Sequence, residues 1–261
     1  MDLFTNYESH TFTFASSASG AVIEQEILGW SAGGCAVVWS DLLPRVVAFH
    51  GEKLCSGKTV LELGAGCGLV GLVAAHWASR VDITDGDPQE VSLIEANVEA
   101  NAPKGASCSC SALHLDWGSQ QAAAAKESGA LVKEGYDVIL AAQVVYVPDA
   151  IKPLVETIAS LLAQHDGAEC ILYNDAVACT ATQGECRALL DAALTAHNLR
   201  QEPALDSRLT LPPVPRVGHG QKDDAAAAAA GKQPVESEAI RWFPHDDAYL
   251  LRITRVAAPP R

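Results

Sequence analysis

Residues 11–14 and 22–27 alternate apolar and polar positions, nearly without a break, on either side of a Ser/Gly stretch at 16–20. A period of two puts successive side chains on opposite faces of an extended chain, so this pattern predicts a short N-terminal β-hairpin. Gly33 and Gly34 then lead into Cys35-Ala-Val-Val-Trp39, where Ser40 can cap a helix that runs to about His50 and is closed by Gly51.

From residue 58 the pattern becomes a repeat of strand, loop and helix. Thr59–Leu63 is an apolar strand followed by a glycine-rich turn and an apolar helix over 69–79. Val81–Thr84 is the next strand. Asp87-Pro-Gln-Glu90 has the composition of a helix start, with Asp87 as N-cap, Pro88 in the first turn and Glu90 placed for a capping box; Val91, Ile94 and Val98 then recur at helical spacing. Tyr136–Ala142 is continuously apolar after Asp137, as expected of a central parallel strand covered on both faces. A helix at about 149–164, a strand at Glu169–Tyr173 and a helix at about 182–197 complete the repeat. This alternation predicts an α/β fold, a doubly wound, mostly parallel sheet with helices on both sides and the hairpin as an N-terminal extension over 1–36.

Between Pro203 and Glu238 the composition changes: Pro212, Pro213, Pro215 and Pro234 surround a run of alanines at 225–230. No face there can be buried, so 204–238 reads as a flexible insertion within one domain spanning 1–261. Ala239–Phe243 and Tyr249–Thr254 are expected to form a final antiparallel pair that rejoins the sheet.

Composition narrows the function. A length of 261 residues suits a single domain, and no apolar run approaches the roughly 20 residues needed to span a bilayer. A formal charge of -14 argues against a nucleic-acid binder, which needs Lys and Arg to replace counterions, and would attract a basic partner. The eight cysteines lack Cys-x-x-Cys spacing, so free thiols in a reducing compartment are expected, in the cytoplasm and also the nucleus. Cys108 and Cys110 would share one face of a strand, where burial as small apolar side chains outweighs a redox or metal role.

The most informative segment is Val60-Leu-Glu62-Leu-Gly64-Ala65-Gly66-Cys-Gly68-Leu-Val-Gly71. Glycines directly after a buried strand let backbone approach a ligand where any Cβ would collide, which marks a nucleotide-like cofactor. Residues 66–71 match Gly-x-Gly-x-x-Gly, a motif that a dinucleotide-binding oxidoreductase can equally claim. Two acids help decide between them, and fit SAM better. Asp85, at the tip of the next strand and 23 residues after Glu62, can accept from both ribose hydroxyls. Glu62 would repel a pyrophosphate at the turn, whereas S-adenosylmethionine (SAM) has no phosphate and carries a sulfonium and an ammonium. Asp116 and Trp117 fall where a third strand should end, so that the indole can stack on adenine and the carboxylate can accept from its amine.

Val37-Val38-Trp39, Leu61–Gly71, Thr84-Asp85, Asn97 and Asn101, Asp116-Trp117 and Ala141-Ala142-Gln143-Val-Val-Tyr146 together resemble the seven-strand, class I SAM-dependent methyltransferases of the lysine methyltransferase-like family, also called methyltransferase family 16. The resemblance covers roughly residues 25–200. It implies a Rossmann-like sheet of seven strands, SAM as cofactor and S-adenosylhomocysteine as product, and a monomer that methylates a side-chain nitrogen, lysine above all, of a protein or peptide. It places Trp39, Gly64, Ala65, Gly66, Asp85, Trp117 and Ala142 against SAM, with Tyr146 near the acceptor and no metal. The family usually has an acid where this chain has Gln143, which offers a neutral carbonyl and an amide donor to orient the nucleophile. That departure leaves open a histidine or small-molecule acceptor, or a SAM-binding interaction protein without turnover.

Overall fold

A computed structural model of the chain describes residues 7–16, 22–30, 38, 40–103, 108–174, 183–204 and 248–257. Tyr7–Ala15 (β1) and Val22–Trp30 (β2) form the expected hairpin, in a register that sets Phe14 opposite Ile23. Phe14, Ile23 and Ile27 are buried on its inner face.

Helix α1 covers Leu42–Cys55, running past the expected stop. Gly51 is buried inside it: a Cβ there would lie 2.3 Å from the Trp77 ring, so this glycine marks a close helix packing and not a helix end. Ser40 Oγ accepts from the Leu42 N–H at 3.2 Å, although Asp41 occupies the N-cap position.

The main sheet comprises Thr59–Leu63 (β3), Arg80–Asp85 (β4), Ser109–His114 (β5), Val138–Ala142 (β6), Glu169–Asn174 (β7), Leu199–Pro203 (β8) and Tyr249–Arg255 (β9). Its seven strands run in the order β5-β4-β3-β6-β7-β9-β8, which makes β6 the middle strand, as its apolar run predicts. The first five are parallel and β9 is antiparallel to both neighbours. Successive residues point to opposite faces. Val60, Leu140 and Ile171 join a core with α1, Leu69–Ala74 (α2), Pro88–Asn101 (α3) and the hairpin. Leu61, Ile139 and Leu172 join a second core with Ser119–Glu127 (α4), Pro148–Leu161 (α5) and Gln183–Ala196 (α6).

Several local expectations are revised. The helix after the glycine turn ends at Ala74, not 79, and α4 was not anticipated because its alanine run has no apolar period. Tyr249–Arg255 pairs antiparallel with β7 on one edge and with Leu199–Pro203 on the other, while Ala239–Phe243, its expected partner, lie outside the described residues. Ala204 is buried and its N–H donates to the Leu250 carbonyl at 2.9 Å, so the sheet's pairing includes a residue assigned to the insertion; 205–238 lie outside the described residues.

Asp87 caps α3 by accepting from Gln89 N at 2.8 Å, but Glu90 does not complete a capping box. The Asp87 N–H donates instead to Asp85 Oδ1 at 3.0 Å, and desolvation pushes the buried Glu90 carboxyl up to about 7.

At the amino-terminal edge of the sheet, Asp82 on β4 is fully buried and accepts from the Tyr136 hydroxyl and, at 2.8 Å, from Arg80 Nε. Burial and the Asp82 carboxylate raise the Tyr136 phenol, which therefore stays protonated as a donor.

Candidate functional site

The carboxyl ends of β3, β4 and β6 and the segment after β5 surround a cavity of about 780 Å³. Its lining includes Glu62, Gly64, Ala65, Gly66, Asp85, Asp116, Trp117, Ala142, Gln143 and Tyr146. Every site residue singled out from the sequence is therefore brought together here, except Trp39, which lies outside the described residues between two lining residues, Val38 and Ser40. Pro44, Asp87 and Val144 also line the cavity. Sequence reasoning missed Pro44 and Val144, and had placed Asp87 only as a helix cap.

The turn after β3 needs its glycines. Gly64, Gly66 and Gly68 have φ of 61, 56 and 80°, where side chains with a Cβ are disfavoured. A Cβ on Gly64 would stand 2.8 Å from Val144 and 3.0 Å from Trp117, so this glycine also lets the ends of β3 and β6 and the indole meet.

The turn is not a phosphate cradle. A pyrophosphate site relies on backbone N–H groups aimed at the ligand. Here the amides of Ala65, Gly66, Gly68 and Gly71 donate to Thr84 O, Asp85 Oδ2, Ala65 O and Glu62 Oε2, at 3.0, 2.9, 2.9 and 2.7 Å. Among the described residues the lining contains four acids, Glu62, Asp85, Asp87 and Asp116, and no Lys, Arg or His. Such a wall suits a ligand with positive charge.

Glu62 is 2 % exposed and lies both under the turn, as acceptor for Gly71, and on the cavity wall. Desolvation, only partly offset by the Gly71 N–H and reinforced by Asp85, pushes its carboxyl up to about 8. Each Asp85 oxygen takes one backbone N–H, from Gly66 and from Asp87, and keeps lone-pair capacity for a further donor.

Asn97 has a structural part that its spacing alone did not reveal. Fully buried on α3, it accepts from Leu28 N at 2.8 Å and donates to Leu28 O and Cys67 O at 3.0 and 2.9 Å. One amide thereby ties the hairpin to the glycine turn.

On the other side of the cavity the chain leaves β6 at Gln143, a non-glycine residue with φ of 59° that is almost fully buried. Tyr146 is 40 % exposed at the cavity mouth, beside the exposed Val147. Cys108 and Cys110 are half-buried free thiols away from this lining, and no group of metal-ligating side chains occurs among the described residues.

Residues 19–176 match the protein family described as lysine methyltransferase. Protein N-lysine methyltransferase METTL21A of Danio rerio is 35 % identical over 130 residues, covering 49 % of this chain and 56 % of that protein. EEF1A lysine methyltransferase 3 of Mus musculus is 33 % identical over 164 residues, covering 62 % and 66 %. Calmodulin-lysine N-methyltransferase of Arabidopsis thaliana is 35 % identical over 120 residues, covering 45 % and 37 %. The matches thus span between about a third and two thirds of these relatives. Among solved structures, a protein described as a SAM-dependent methyltransferase from Streptococcus mutans superposes with a TM-score of 0.53 at 14 % identity, over 95 % of this chain and 56 % of that one, a likeness of fold.

Proposed function

The chain belongs to the lysine methyltransferase family, which it matches over residues 19–176, and from that premise we propose that it transfers a methyl group from SAM to a lysine side chain of a protein. The observation that carries this reading is the cavity itself, four acids and no cationic side chain among the described residues of its lining, around a glycine turn in which the amides of Ala65, Gly66, Gly68 and Gly71 are already engaged. A cationic, phosphate-free cofactor fits that wall and a dinucleotide does not.

SAM, when bound, supplies an electrophilic methyl carbon attached to a sulfonium. Glu62 would face its ammonium, Asp85 its ribose and Trp117 with Asp116 its adenine, while Gly64, Ala65, Gly66 and Ala142 leave room for it. The protein's remaining work is to hold a neutral amine behind the methyl and keep water away. Tyr146 forms the wall that desolvates the incoming lysine, lowering its pKa toward the reactive neutral form, and the Gln143 carbonyl orients the nitrogen. Asp87 and Asp116 are exposed acids of the cavity lining, which favours a basic acceptor segment over a nucleic acid. Six free cysteines among the described residues support a reducing compartment, cytoplasm or nucleus, and we take the active form to be a monomer. No helix of the described residues is long and apolar enough to cross a membrane. Residues 205–238 are taken as an insertion within one domain, because the Ala204–Leu250 backbone bond brings its flanks together.

Methyl-labelled SAM incubated with a lysate lacking the native protein tests the reading. Label on lysine of a discrete protein is the expected result, and label on histidine or a small molecule would reassign the acceptor. Calorimetric SAM binding with no labelled species would leave a binding protein in place of an enzyme.

A second expectation concerns pH. With Glu62 pushed up to about 8, most of its carboxyl is protonated at pH 7 in the free protein. The ammonium of SAM favours the ionised form, so binding lowers that pKa and releases a proton. Affinity should therefore rise between pH 6 and 8, by up to about tenfold per pH unit, and level off above. Calorimetry across that range, with Glu62→Gln as the variant that loses the slope, checks it; a pH-independent affinity would place the ammonium away from Glu62.

A further inference from the structure

We propose that Asn174 is a positioning residue for the acceptor side of the site, acting through the backbone of Val145 on Gln143 and Tyr146; this rests on the methyltransferase reading above. The ladder between β6 and β7 has its last strand pair at Ala142 and Tyr173. Gln143 still donates its N–H to the Tyr173 carbonyl at 2.8 Å, and its positive φ then turns the chain out of the strand. Beyond that point the neighbouring strand offers a side chain in place of backbone. Asn174 Oδ1 accepts from Val145 N at 3.0 Å and Asn174 Nδ2 donates to Val145 O at 3.2 Å, so one amide serves both polar groups of one residue.

Two features make this a lever on the acceptor site. Val144 and Val145 are almost fully buried, and buried backbone N–H and C=O groups are costly to leave unpaired, so the segment must follow the amide that satisfies it. Asn174 in turn sits on an anchored strand, paired with Tyr249 of β9, and is 2 % exposed. The sheet's position is thereby transmitted to the residues on either side of Val145, where both Gln143 and Tyr146 line the cavity. The cofactor-facing groups Glu62, Asp85 and Trp117 stand on β3, β4 and the segment after β5, so the cofactor and acceptor halves of the cavity can respond separately.

The chemistry requires a group that both donates and accepts at this length. Alanine supplies neither function. Aspartate keeps the acceptor for Val145 N–H but turns an oxygen toward Val145 O, unless it is protonated and donates. The test compares wild type, Asn174→Ala and Asn174→Asp by hydrogen exchange of the Val145 amide, by calorimetry with SAM, and by the initial rate of methyl label transfer into the lysate.

Asn174→Ala should speed Val145 exchange at least tenfold with β6 amides unchanged, hold the SAM Kd within threefold, and cut labelling at least tenfold. Asn174→Asp should label poorly at pH 8, and its rate relative to wild type should recover as pH falls and the carboxyl regains its proton. Unchanged labelling and exchange in both variants would overturn the proposal. So would a loss of labelling matched by an equal loss of SAM affinity, or one seen only at temperatures where circular dichroism shows the variant partly unfolded, since that assigns Asn174 to the fold alone. A wild type that binds SAM but labels nothing overturns the underlying enzyme reading, and the proposal with it, whatever the exchange shows.

Discussion

Asp85→Ala should weaken SAM binding by roughly 10- to 150-fold, the equivalent of about 1.5–3 kcal/mol for hydrogen bonds to a charged partner. The carboxylate has two tasks. It takes the Gly66 and Asp87 amides, 2.9 and 3.0 Å from its two oxygens, and so holds the glycine turn against the start of α3. It also presents its remaining lone pairs to the cavity, where a ribose would lie. Alanine removes both at once, leaving two backbone N–H groups in search of water and the sugar without its acceptor. Asp85→Asn separates the tasks: it retains one oxygen for one amide but turns an NH₂ toward the other, so it should fall between wild type and Ala. Calorimetry with SAM and S-adenosylhomocysteine, with circular dichroism to confirm the fold, measures the effect. An affinity unchanged in Asp85→Ala would move the ribose elsewhere in the cavity.

Tyr136→Phe should cost about 1–3 kcal/mol of stability, and at roughly 2–4 °C per kcal/mol for a chain of this size lower the melting temperature by about 2–12 °C. Asp82 is wholly buried and one of its oxygens, Oδ1, has no hydrogen-bond partner among the described residues even with the tyrosine present. Removing the phenol leaves Arg80 Nε, 2.8 Å away, as the remaining side-chain donor among the described residues to a desolvated charge. The Val132 amide, which donates to the phenol oxygen at 3.3 Å, loses its acceptor as well. Replacing Asp82 too, in Tyr136→Phe/Asp82→Val, removes the stranded charge and should recover part of the loss, because burying an apolar pair is cheaper than burying half of a polar one. Tyr136 lies before β6 at the opposite end of the strands from the cavity, so SAM affinity should stay within threefold. A Tyr136→Phe protein as stable as wild type would mean that water reaches Asp82.

The parts of this protein legible in its sequence are those where local physics and fold agree. Asp137 aside, the apolar run at 136–142 has no polar residue to turn toward solvent, so it had to be a covered strand, and it is the middle one. Three glycines closely spaced after a buried strand announce a ligand turn in the sequence, and their positive φ in the fold is the reason that other residues would be strained there. Asp85 and Trp117 are found because, in a parallel sheet, residues at carboxyl strand ends converge on one edge.

What the chain order conceals depends on contacts between distant segments. The edge strand Leu199–Pro203 has one buried apolar residue and no alternation, so its pairing with β9 is decided by the place the sheet leaves open. Gly51 reads as a helix stop until Trp77, 26 residues on, is seen lying where its Cβ would be. Asn97 and Asn174 look like ordinary polar residues; only the fold sets their amides against Leu28, Cys67 and Val145. The sequence alone thus determined the sheet, the turn and the candidate cofactor residues, because those follow from short-range periodicity and backbone sterics. Tertiary structure alone decided that four of the turn's amides are engaged, that Glu62 is desolvated and that Val145 hangs on Asn174, because hydrogen-bond partners and burial are properties of segments that meet only when the chain is folded.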